Sequence, residues 1–371
     1  MRERQPKQME PARQGWLTNL LLVIVLSCIG SVHASGESTT STTSGSDLLL
    51  VSQFKAHHLA YVDPQKGVIA RVKVGRAPYG VAISQDGRAY VATAEGVAVV
   101  DIRARLRTAL IPYQTLLAGR RWGEYRQGGM GIAVSPNGKT VAVGINRGRR
   151  AGQLEIISTQ SQTVIASVPV GIRPFQVLFS NEGHEIYSID HDSYSVTAYN
   201  LNDRSLRVFD VAPFGYGGFA KPHYAAINAK GDLLLPIQGR TLLQLNPKTG
   251  EQTQIPLSAQ THQHGVALSN DASTLFVVGT GPAGEVSGTA VLSRINLRDG
   301  QETHLPLHAE HEQIVLSDDD KTAYLTGGNS FTEGWNGISV IDLTRNKIRF
   351  LQVDKQPLGV ALWGNAAGNR K

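Results

Sequence analysis

A seven-bladed β-propeller is the fold class that the sequence predicts: all-β, with four-stranded antiparallel blades, one of them closed by both chain ends. Three observations carry this. One phrase, a short apolar strand, a tight turn and a second apolar strand, recurs along the chain. Its spacing is that of a propeller blade. The two ends of the chain supply complementary fragments of one further blade.

The phrase is clearest in VGRAPYGVAISQDGRAYVAT, Val74 to Thr93, where Asp86-Gly87 sits between two apolar runs. Glycine accepts the positive φ that such hairpin turns need. The phrase returns at Gly128–Gly144, Arg173–Asp190, Lys221–Pro236, His262–Gly279 and His311–Gly327, with a half-copy at Gln356–Gly364. In the fourth copy Pro236 is expected to end the second strand. The residues closing each first strand are Ser84, Ser135, Ser180, Asn228, Ser269, Ser317 and Trp363, spaced by 51, 45, 48, 41, 48 and 46 residues. Before the first copy, Leu48–Ser52, His58–Val62 and Val68–Val74 read as three strands lacking an innermost partner. Pro357–Trp363 reads as an innermost strand lacking the other three, so the two fragments complete each other.

The chain has 371 residues, 41% hydrophobic, with 39 glycines, which suits a turn-rich repeat protein with a substantial core. A net charge of +6, part of it in the leader, is too small for a nucleic-acid binder. Residues 1–34 are expected to be an export signal: basic residues up to Arg13, an apolar core LLLVIVL at Leu20–Leu26, and Val32-His33-Ala34 as a cleavage site. Cys28, the only cysteine, follows Val25-Leu26-Ser27, which resembles a lipobox. That resemblance implies lipidation at Cys28; ordinary cleavage after Ala34 is the alternative. Residues 35–46, rich in Ser, Thr and Gly, read as a flexible linker, residues 47–363 as the propeller and residues 364–371 as a tail. The expected location is periplasmic or secreted, with membrane attachment only through a lipid on Cys28.

Tyr90-Val91-Ala92-Thr93 with Val99-Val100-Asp101-Ile102, and Ala323-Tyr324-Leu325-Thr326 with Val340-Ile341-Asp342-Leu343, resemble the words of the YVTN family of propeller repeats. The resemblance spans Asp47 to Trp363 and implies the fold. It implies no single function, because proteins of this kind include enzyme subunits, surface-layer proteins and binding proteins.

On a propeller, the connections leading into each inner strand and those between the second and third strands share the face of the channel mouth. Loops held there by a rigid scaffold carry function. The position before each inner strand reads Tyr79, Met130, Phe175, His223, His264, Glu312 and Leu358. His223, His264 and Glu312, with His262 and His311 beside them and Tyr79 across the ring, are the expected ligand-binding residues. Of the ten histidines outside the leader, eight fall on this face (57, 58, 191, 223, 262, 264, 308 and 311), which favours a site over scatter. Imidazole and carboxylate suit a transition metal, so His223, His264 and Glu312 are also the candidate metal ligands. Arg120, Arg121, Arg147, Arg149 and Arg150, on two adjacent mouth-face connections, form a candidate anion patch, with Arg126 in the same insertion.

No nucleophile elbow, Walker motif or Rossmann fingerprint is present, so binding is preferred to catalysis. The leading expectation is an exported bacterial envelope protein that binds a small anionic ligand or another envelope protein through its mouth. Lys221-Pro222-His223-Tyr224 resembles the Pro-x-His-type motif of seven-bladed lactonases, which implies a lactonase-like hydrolase as one alternative. The acidic residue that family places after the next strand is replaced here by Ile237-Gln238. A metal- or cofactor-binding propeller is the other alternative.

Overall fold

Each phrase folds into a hairpin because its anchor residue ties the turn together. Ser135 Oγ donates to Asn137 (2.7 Å) and accepts the Thr140 N–H (3.0 Å). Ser269 with Asp271 and Thr274, and Ser317 with Asp319 and Thr322, repeat the arrangement at 2.7–3.0 Å. A hydroxyl at this place supplies hydrogen bonds that the turn backbone cannot make with itself.

A computed structural model describes residues 47–117, 126–211, 221–237, 239–261, 264–279, 290–328 and 334–364. These form seven four-stranded antiparallel sheets arranged in a ring. Counting from Val81–Ile83, the inner strands of blades one to seven are Val81–Ile83, Gly128–Val134, Pro174–Phe179, Ala226–Ile227, Val266–Leu268, Ile314–Leu316 and Pro357–Trp363. Pro236 does not end its strand: it lies inside Leu233–Ile237, opposite Leu242.

The seventh blade is closed by both chain ends. Pro357–Trp363 pairs with Leu48–Gln53, in register Leu48 with Trp363 and Leu50 with Ala361. Ser52 Oγ accepts the Gly359 N–H (2.8 Å) and donates to the Tyr79 carbonyl (2.6 Å), tying this clasp to the first blade.

Middle strands lie between two neighbouring blades and are buried on both faces, as in Glu185–Asp190 and Leu233–Ile237. Outer strands alternate: Thr163–Val170 and Leu206–Asp210 half-bury every second residue and expose the rest. Seven apolar clusters join consecutive blades around the whole ring. At about 1.5–3 kcal/mol per buried large aliphatic side chain, these interfaces dominate the fold's stability. Glycine after the ring position brings inner strands close. A Cβ on Gly131 would stand 2.5 Å from Gln176 Cα, and one on Gly359 would stand 2.2 Å from the Tyr79 carbonyl oxygen. Among the described residues no helix is long and apolar enough to cross a membrane.

Candidate ligand-binding site at the channel mouth

The close approach of the inner strands narrows the ring and buries it. Tyr79, Met130, Phe175 and Leu358 pack with Phe54, Ala77 and Tyr224 into an eighth apolar cluster. His223, His264 and Glu312 are likewise buried, at no more than 6% exposure. Together these side chains plug the channel at this level. Beneath it the channel holds a cavity of about 310 Å³ roofed by Tyr79, Met130, Phe175 and Tyr224, with no charged side chain among the described residues that line it.

Glu312 is held by two phenols: Tyr224 donates to Oε1 at 2.9 Å and Tyr79 at 3.4 Å. Gln313 Nε2 donates to the Tyr224 hydroxyl (3.3 Å). Burial, and then the charge of Glu312, pushes the Tyr224 phenol well above its ordinary value. The His223 ring stands edge-on to Phe175, centroids 3.5 Å apart, and 5.0 Å from the His191 ring. The His264 N–H reaches the Thr261 carbonyl at 3.4 Å. Among the described residues no group of three His, Cys, Asp or Glu side chains is placed to hold a metal ion.

His311 is fully buried with both ring nitrogens committed, Nδ1 to the Ala309 carbonyl (2.8 Å) and Nε2 to Ser339 Oγ (2.7 Å). Burial pushes its pKa down to about 3, so the ring stays neutral. His262, Arg120, Arg121 and Cys28 lie outside the described residues. Arg149 and Arg150 are exposed on the mouth face, where the second and third strands of blade two meet; Arg147 is half-buried and reaches the Ala151 carbonyl (3.4 Å). Arg126 is no rim residue. It is fully buried, donates to the Gly129 carbonyl (2.7 Å), and stacks over Phe54 and Tyr79 with its guanidinium carbon 5.8 and 5.7 Å from their ring centres. Burial lowers its pKa to about 10.

The densest polar arrangement lies on the arc of blades three and four, and sequence reasoning found only part of it. Two turns meet there: the N–H groups of His191 and Asp192 donate to the carbonyls of Arg173 and Ile172 (both 3.1 Å). Arg173 (φ 57°) and Tyr194 (φ 54°) are both left-handed, a costly conformation for bulky residues that recurs at functional sites. The two turns set His191, Asp192 and Arg173 side by side. Asp192 Oδ1 bonds His191 Nδ1 (2.8 Å) and Lys221 Nζ (3.0 Å), while Oδ2 bonds Arg173 Nη2 (2.8 Å). Burial alone would push the Asp192 carboxyl up, but the bond to His191 and the charges of Arg173 and Lys221 outweigh it and hold it far below the carboxylate range. An ionised Asp192 accepts the Nδ1 proton, so the Nε2 lone pair of His191 is the basic position. His191 Nε2 is buried with no hydrogen-bond partner among the described residues. Burial lowers the His191 pKa against the opposing pull of Asp192. Lys221 stands over the Tyr194 ring, 5.8 Å from its centre, with 24% of its side chain exposed. Asp190, one residue before His191, is buried beneath the hydroxyls of Ser188 (2.6 Å) and Thr197 (2.5 Å), and burial raises its pKa to about 6.

His191 was one of the eight mouth-face histidines, and Lys221 opened the lactonase-like segment. Asp192 and Arg173 carried no signal of their own. The pair His-Asp in a second-to-third-strand connection, read together with an arginine just before the inner strand of the same blade, would have found them.

No family model matches the chain, and no curated protein matches it. Solved structures do. A protein from Lactobacillus plantarum is similar with a TM-score of 0.62 at 16% identity, over 86% of this chain and 99% of the other. The periplasmic gluconolactonase PpgL of Pseudomonas aeruginosa is similar with a TM-score of 0.60 at 14% identity, again over 86% and 99%. A candidate 6-phosphogluconolactonase of Bacteroides uniformis gives 0.60 at 13% identity, over 86% and 100%. At such identities the likeness is one of fold: the chain is a seven-bladed propeller with lactonases among its structural neighbours.

Proposed function

We propose that the protein is an exported binding protein whose mouth face takes a small organic anion, a carboxylate first of all. The observation that carries this reading is the gathering of Arg173, Lys221 and His191 around one carboxylate, Asp192, beside His223. Among the described residues, two permanent cations on one anion leave a positive excess in a largely desolvated place, where charge-assisted bonds are strong. A lysine ammonium has three donors, and Lys221 gives one to Asp192 while keeping part of its side chain in water. Phe175 and Tyr224 add the apolar wall that orients a ligand. Arg149 and Arg150, exposed on the same face, favour approach of an anion. The leader and the Ser/Thr/Gly linker support a periplasmic or extracellular site, with Cys28 as the point of any lipid anchor.

Calorimetric titration with succinate, glutarate and citrate tests this reading. Binding that weakens between 50 mM and 500 mM salt is expected, because exposed charges are screened over about 10 Å at 0.1 M. Absence of binding by all three at millimolar concentration would overturn it. Capture of an acidic peptide in their place would move the reading to a protein partner.

A further inference from the structure

We propose that the cluster on the arc of blades three and four also hydrolyses open-chain esters that carry a carboxylate, with His191 as general base. This rests on the anion-binding reading, since Lys221 is what would hold the substrate's carboxylate.

The geometry is that of a base oriented by an acid. Asp192 takes the Nδ1 proton at 2.8 Å and is itself fixed on both oxygens, by Lys221 at 3.0 Å and Arg173 at 2.8 Å. His191 therefore has one tautomer and one orientation, and it presents the Nε2 lone pair. That atom is buried with no partner among the described residues. A buried acceptor left unmatched is destabilising, and a residue that persists in this condition points to a donor that arrives from outside. The donor proposed is a water molecule. The strained Tyr194 closes the turn that carries His191 and puts its ring under Lys221, so one turn places both base and anchor.

The step balances without a co-reactant. Water gives a proton to His191 Nε2 as its oxygen adds to the ester carbonyl. When the tetrahedral species collapses, the bond from the carbonyl carbon to the alkoxy oxygen breaks and the alkoxide takes the proton back from Nε2. An acid and an alcohol leave, and His191 is neutral again. Its lowered pKa keeps it deprotonated and ready at neutral pH.

Two probes test this on the propeller: mono-4-nitrophenyl succinate, an anionic ester, and 4-nitrophenyl acetate, a neutral one. The succinate ester should turn over well above the buffer rate. His191→Gln should lower kcat by about 100-fold or more, the usual contribution of a general base. Lys221→Met should raise KM for the succinate ester, and should affect the acetate less, through kcat alone, because Lys221 also steadies Asp192. Asp192 is a positioning residue, so Asp192→Asn should both slow the reaction and shift its acid limb, which in the wild type should fall below pH 6.5. Among the described residues the titratable groups facing His191 are Asp192, Arg173, Lys221 and His223, so a shift in Asp192→Asn reports on the Asp192 contact. If His191→Gln does not fold, the wild-type acid limb and the Lys221→Met KM effect decide the matter. No rate above buffer for the succinate ester, or an unchanged rate in a folded His191→Gln, overturns catalysis. Succinate binding in that same protein would leave the anion-binding reading standing; its absence would remove both.

Discussion

Two buried histidines, His191 and His311, sit on opposite arcs of the mouth and are used in opposite ways. His311 spends one nitrogen on a backbone carbonyl and the other on the Ser339 hydroxyl, and its neighbourhood is aromatic, with Trp335 and His308 5.5 Å away. His191 spends Nδ1 on a carboxylate that two cations hold in place, and no described residue meets its Nε2. The first is a strut and the second a poised group. Burial does not separate them, since both are at most 2% exposed. What separates them is the identity of the atom on each ring nitrogen.

The largest effect should come from removing what both arcs share. Deleting residues 357–371 takes the inner strand out of the seventh blade and leaves Leu48–Gln53 as an uncovered edge. Loss of the cooperative thermal transition is expected, and a truncated protein that melts like the full chain would show that the ring does not need this clasp. Next, His311→Ala should destabilise by about 2–4 kcal/mol, because it strands a buried hydroxyl and carbonyl and leaves a hole. His191→Gln should cost under about 1 kcal/mol, since the Gln amide can still donate to Asp192 and the Nε2 it removes makes no bond among the described residues. Urea midpoints measure both, and equal losses would erase the distinction between strut and poised group.

Acid should sharpen the contrast. Unfolded histidine titrates near 6.5 whereas folded His311 titrates near about 3. Between these values the unfolded chain binds more protons, so stability falls as pH drops from about 6.5 toward 3. His191 acts in the same sense. Asp190 acts against them: held up to about 6 when folded, it gains stability as pH falls from 6 toward the ordinary carboxyl value. His311→Gln should therefore flatten the acid loss, measured by urea midpoints from pH 7 to pH 4, by about one proton. An unchanged slope would mean that His311 is not held neutral.

The fold was legible because it is written seven times. The anchor serines, the glycines after the ring position and the complementary chain ends all follow from local rules that one sequence states repeatedly. The site was legible only by level. Register placed Tyr79, His223, His264 and Glu312 on one ring, but it could not show that glycines such as Gly131 and Gly359 draw that ring shut into a plug. Nor could it show that Asp192 lies against Arg173 and Lys221, because those contacts join separate turns through the left-handed Arg173 and Tyr194. Repeats reveal what blades have in common, whereas a site is built from what one blade does alone.

The most direct test is the affinity of succinate for three proteins: wild type, Lys221→Met and His311→Gln. A charge-assisted hydrogen bond contributes about 1.5–3 kcal/mol, so Lys221→Met should weaken succinate binding by about tenfold or more. His311→Gln should bind as the wild type does. Equal affinity in wild type and Lys221→Met, or a loss confined to His311→Gln, would contradict an anion site on the arc of blades three and four.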